Sequence, residues 1–173
     1  MKIWFQKLEN SFKDKNFTTA LLVGFLFLTI SLMINYVAGT YATERASLPV
    51  TDIILSNIPV FDVDGIFIYG PIVFWIFAGL VLAYNPKKIP FALKSIALFI
   101  IVRSIFISLT HIGPFPTQAI INSTDFFSKF TFGGDLIFSG HTGLPFLMAL
   151  IFWQEKNLRY IFIISSIIFG AVV

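Results

Sequence analysis

The groups best suited to chemistry fall together late in the chain, in the run Gly134, Asp135, Leu136, Ile137, Phe138, Ser139, Gly140, His141 and Thr142. A histidine can give or take a proton near neutral pH. Gly140, just before it, lets the backbone turn tightly, and Ser139 and Thr142 carry hydroxyls that can cap helix N–H groups. A helix that starts on such residues attracts anions. Considered without its neighbours, His141 reads more readily as an interfacial histidine satisfied by its loop, and Asp135 with its glycines reads as turn chemistry and solvation.

Arg103 is the second candidate. It stands inside a long apolar stretch, near the middle of a span, where a guanidinium is costly unless it faces protein or water. A partner carboxylate or a set of helix carbonyls would be a purely structural answer. A functional answer is phosphate, because the planar guanidinium fork matches phosphate oxygens two at a time.

These residues need elements to hold them, and the composition says which. Of the 173 residues 57% are apolar and 12% charged, with a mean hydropathy of +0.86. A soluble domain is roughly a quarter charged, so the chain is expected to be all-α, a polytopic bundle of transmembrane helices. The 173 residues read as a single membrane domain with five spans, at 19–38, 65–84, 91–112, 139–153 and 158–173, the last incomplete. Bilayer crossing needs about 20 residues. Pro86 and Pro90 flank the short turn between the second and third spans.

Charge placement orients the bundle. Lys2, Lys7, Lys13 and Lys15 precede the first span; Lys87 and Lys88 lie in the second-to-third turn, Lys156 and Arg159 in or just after the fourth-to-fifth. The two long loops hold only Arg45 and Lys129. By the positive-inside rule the N-terminus is cytoplasmic and both long loops lie outside. The net charge of +3 is not a nucleic-acid footprint, since the basic residues border apolar spans. With no cysteine and two histidines, a thiolate metal site is excluded and a histidine-built one is not expected. Short loops and the lack of cysteine suggest a bacterial cytoplasmic membrane, with a eukaryotic Golgi or plasma membrane as the alternative.

Gly134 to Thr142 closely resembles the third signature of the sphingomyelin synthase family, within the larger group of type 2 phosphatidic acid phosphatases. Arg103, Leu109, Thr110 and Pro114-Phe115-Pro116 resemble the second signature, and Leu48-Pro49-Val50-Thr51-Asp52 resembles the first more loosely. The chain shows no K-x-x-x-x-x-x-R-P, and Phe138 stands where the ordinary lipid phosphatases of the group carry the proline of P-S-G-H. Both departures favour the synthase-like branch. His111 falls where the second signature has no functional histidine and reads as a loop or interface residue.

The resemblance implies six spans and an integral membrane phosphotransferase that moves a phospho-head group between lipids. Its donor would be a phospholipid and its acceptor ceramide or diacylglycerol, with no cofactor and no metal. A histidine of the fourth signature would attack phosphorus and form a phospho-histidine. His141 would protonate the leaving oxygen and later activate the acceptor. Arg103 would steady the phosphate, with Asp135, Ser139, Gly140 and Thr142 around it. Two crossings and a turn from His141 need about 40 to 45 residues, which places that second histidine past Val173, so the chain is expected to continue. The alternatives are a lipid phosphatase or phospholipase of the same larger group, with water as acceptor, and a non-catalytic membrane protein lacking the nucleophile.

Overall fold

The computed structural model describes residues 9, 11–48, 57, 63–110, 113 and 138–172. Besides a helical stretch at 9 and 11–13, they form α1 (Lys15–Glu44), α2 (Asp64–Tyr84), α3 (Ile89–Leu109), α4 (Gly140–Ile151) and α5 (Lys156–Val172), with a 3₁₀ turn at Pro86–Lys88 before α3. No strand occurs among the described residues. The structure divides into two units, one of Met1–Leu32, Val63–Phe99 and Ser139–Val173, the other of Met33–Asp62 and Ile100–Phe138.

Three helical stretches are long and apolar enough to cross a membrane: Lys15–Glu44, Gly65–Tyr84 and Pro86–Leu109. Only 11% of the most apolar window is buried in each of the first two, so their large apolar side chains suit contact with hydrocarbon, not a protein core. Leu22, Leu26, Val73 and Ile76 are all more than half exposed. Polar residues inside these helices close hydrogen bonds back onto their own backbone, as where Thr29 donates to the Phe25 carbonyl at 3.0 Å and Ser104 to that of Ile100 at 2.7 Å. A hydroxyl bonded in this way does not need the bilayer to solvate it.

The observed boundaries differ from the expected spans in instructive places. α1 extends beyond 19–38 at both ends, because nothing from Lys15 to Glu44 breaks a helix. α3 ends at Leu109, not 112. Arg103 is therefore six residues from the helix end (109 − 103), about 9 Å at 1.5 Å per residue, and not near the middle. α4 is only 12 residues long, about 18 Å against a hydrocarbon core of about 30 Å. α5 begins at Lys156, and its 17 residues give about 25 Å.

α4 stops where a lysine meets its end. Lys88 Nζ donates to the Ile151 carbonyl at 3.2 Å, pairs with Glu155 at 3.0 Å and lies 4.5 Å from the centre of the Phe152 ring. A cation is favoured beside the last carbonyls of a helix. This contact joins the turn at Pro86–Lys88 to the turn after α4, so the two basic turns share one end of the first unit. Asn85 finishes α2, giving its backbone N–H to the Leu82 carbonyl at 2.9 Å and its side-chain amide to that of Val81 at 3.1 Å.

The core of this unit is aromatic. Phe74 meets Phe162 and Phe169 edge-on at 5.8 and 6.0 Å, and Phe152 packs on Phe162 at 5.8 Å. Close approach depends on glycine at two points. A Cβ on Gly70 would lie 2.6 Å from the Phe169 ring, and one on Gly143 would lie 2.4 Å from the Phe99 ring. Small residues at helix contacts are what association in a bilayer favours, since lipid supplies no hydrophobic drive between helices.

Candidate functional site

His141 is the second residue of α4, and the first turn around it is fixed from several sides. Ser139 is the N-cap, with φ −54° and ψ 121°. Its carbonyl accepts from the Gly143 N–H at 3.0 Å, and its hydroxyl accepts from the Thr142 N–H at a long 3.4 Å. Ser139 thus caps the helix as its type suggests. Thr142 does not cap with its side chain; it supplies the capped N–H.

Pro145 sits inside the helix. Having no N–H, it cannot donate to the carbonyl of His141 four residues earlier. The next carbonyl, that of Thr142, accepts from Ser166 Oγ of α5 at 2.8 Å. The Thr142 methyl also lies against Gly170, where a Cβ would come within 3.2 Å. The imidazole of His141 stacks on the Phe67 ring of α2, with centroids 4.8 Å apart and planes 22° from parallel. Since α2 also carries a proline, Pro71, four residues after Phe67, the carbonyl of Phe67 too lacks its usual helical donor.

The tight turn expected at Gly140 is made elsewhere. Among the described residues no glycine has positive φ, and Phe138 takes the left-handed conformation at φ 69°. For a residue with a Cβ that conformation costs about 1–2 kcal/mol. Proline, locked near φ −65°, could not adopt it. Position 138 therefore differs from the P-S-G-H pattern in backbone as well as in side chain.

Arg103 belongs to the second unit, and there it meets Phe138. Its Nε donates to the Phe138 carbonyl at 3.0 Å and its Nη1 to Asn35 Oδ1 of α1 at 2.7 Å. Phe106, one turn after Arg103, stacks on the Phe138 ring at 5.4 Å with planes 11° apart. Phe138 is thus held on α3 through both its carbonyl and its ring, and these contacts stabilise its left-handed backbone. Both named acceptors of Arg103 are neutral oxygens, which orient the fork.

Ser139, Gly140, His141 and Thr142 thus make one helix turn in the first unit, while Arg103 lies in the second. Asp135, the Leu48–Asp52 run after Leu48, His111 and Pro114-Phe115-Pro116 lie outside the described residues. Sequence reasoning missed Asn35, Phe67 and Ser166. Asn35 gave a signal, as a lone amide in an uncharged apolar span. Phe67 gave none, being one of 22 phenylalanines.

These contacts change what Arg103→Lys is expected to do. The two named bonds leave from different nitrogens of one planar group, and a single ammonium cannot reproduce that geometry. The substitution should lower stability by about 1.5–3 kcal/mol, the scale of one hydrogen bond to a charged group. Unfolding of purified protein in detergent checks this, and unchanged stability would show that the fork is not needed.

No protein-family model, no curated protein and no solved structure matches this chain.

Proposed function

We propose that the chain is an integral membrane phosphotransferase acting on lipid head groups, like the sphingomyelin synthases it resembles. The observation that carries the proposal is the first turn of α4, where His141 follows a serine N-cap and lies flat on Phe67. A histidine so held presents a ring nitrogen in a fixed direction, as proton transfer to a leaving oxygen requires. The N–H groups of the same turn favour a phosphate beside it. His141 acts as acid and then base, on either side of a phospho-histidine formed on a fourth-signature histidine. By the resemblance, and not by any placement of the two units, Arg103 would hold the phosphate.

The synthase-like branch is preferred over the hydrolases because of Phe138, whose φ of 69° suits no proline. An acceptor test separates the two. Membranes expressing the gene product are given head-group-labelled phosphatidylcholine, with and without fluorescent ceramide or diacylglycerol. Label appearing in a new lipid only when acceptor is present supports the transferase. Release of water-soluble label at the same rate without acceptor supports the hydrolase, and no turnover at all supports the non-catalytic alternative.

The same proposal places five spans of a six-span bundle in the bilayer, with the N-terminus in the cytoplasm and the long loops outside. The shared end of the two basic turns at Lys88 and Glu155 supports it, since both turns must then lie on one side. Cysteines introduced at Ser47 and Ser123 are expected to react with an impermeant maleimide added to intact cells, and one at Asn157 is not. Labelling at Asn157 in sealed cells would reverse the orientation and put His141 on the wrong face.

A further inference from the structure

We infer that Asn35 is a positioning residue for Arg103: it sets the plane of the guanidinium so that the fork is aimed at a phosphate monoester or diester. The inference rests on the phosphate-holding role proposed for Arg103. Asn35 lies within α1, nine residues before the helix ends (44 − 35). It is half-buried between the exposed side chains of Ile34 and Tyr36. An amide at this depth costs free energy unless it finds a partner, and the partner it has is Arg103 Nη1, at 2.7 Å. The second contact, from Nε to the Phe138 carbonyl at 3.0 Å, comes from another nitrogen of the same rigid group. Two contacts from different nitrogens fix a plane where one would allow rotation. An asparagine does this at no cost in charge. An aspartate in its place would hold the fork more tightly but oppose any anion brought to it.

That contrast gives the test. The chain is purified in maltoside micelles, and binding of dioctanoyl phosphatidate is measured beside dioctanoylglycerol, which has the same chains without phosphate. Melting temperatures are recorded in parallel. Asn35→Leu is expected to weaken phosphatidate binding about tenfold, the scale of one hydrogen bond to a charged group, and to leave dioctanoylglycerol binding unchanged. Asn35→Asp, nearly the same shape, is expected to raise the melting temperature while weakening phosphatidate binding at least as much. A purely structural asparagine would not move these readouts in opposite directions, and the aspartate variant carries the test if the leucine variant fails to fold. Arg103→Leu separates the two layers of the argument. If Arg103→Leu loses phosphatidate and both Asn35 variants bind as wild type, the role of Asn35 is overturned and the phosphate role of Arg103 stands. Equal loss of both probes in Asn35→Leu likewise reduces Asn35 to a structural contact. If Arg103→Leu binds phosphatidate as wild type does, the phosphate role itself is overturned, and that of Asn35 with it.

Discussion

If the gene product carries a fourth-signature histidine, as the proposal requires, replacing His141 with alanine is expected to lower lipid turnover by about 10²- to 10⁴-fold, the usual worth of a positioned general acid and base. Expression and membrane insertion should hardly change. Insertion depends on the apolar stretches Lys15–Glu44, Gly65–Tyr84 and Pro86–Leu109, and none contains His141. The start of α4 rests on the Gly143 N–H to the Ser139 carbonyl and on Ser166 to Thr142, and both survive the substitution. Alanine also suits a helix better than histidine, by a few tenths of a kcal/mol. What is lost structurally is the stack on Phe67, worth about 0.5–1.5 kcal/mol. Turnover per milligram of inserted protein is the measurement, because it removes expression from the comparison.

Gly143→Leu should have the largest effect on the fold. A Cβ at this position would already lie 2.4 and 2.6 Å from two carbons of the Phe99 ring, distances that real carbons do not reach without movement. A leucine adds three more carbons in the same place. Overpacking of this kind costs about 3 kcal/mol at the upper end of its common range, and the helix-propensity gain over glycine, about 1 kcal/mol, offsets only part. Gly143→Ala should be milder, since the Phe99 ring can swing by part of its width. Phe99→Ala should rescue Gly143→Leu, so the pair is expected to show strong favourable coupling in a double-mutant cycle. Additive losses would show that Phe99 is not what excludes the larger side chain. Because Gly143 is two residues from His141, the variant should lose activity together with stability, whereas His141→Ala separates them.

Much of the helical framework was legible because membrane spans leave a coarse signal. Apolar runs of bilayer length between lysine-bearing turns placed α1, α2 and α3 to within a few residues at most ends, and Pro86 marked the turn before α3. The first turn of α4 was legible from Ser139, whose type carries its role as a cap. Other features depend on contacts that one-dimensional pattern does not carry. The end of α4 at Ile151 is set by Lys88, 63 residues away in sequence (151 − 88), while the apolar pattern simply runs on through Trp153. The stack of His141 on Phe67 has no marker in a chain so rich in phenylalanine. Gly140 looked like the turn-maker because glycine is the usual left-handed residue. The structure instead gives that conformation to Phe138, where Arg103 and Phe106 hold the carbonyl and ring and outweigh the intrinsic cost.

The most direct test of the central claim is a comparison of leaving groups. Wild type and His141→Ala, each in a gene product shown to carry the proposed fourth-signature histidine, are assayed on a phospholipid donor and on a p-nitrophenyl phosphodiester. The phospholipid expels a poor alkoxide that needs a proton, while nitrophenolate leaves without one. If His141 supplies that proton, His141→Ala should lose at least about 10²-fold on the phospholipid and far less on the nitrophenyl ester, because attack at phosphorus by the other histidine is untouched. An equal loss on both substrates, or no loss on the phospholipid, would contradict the acid–base role of His141.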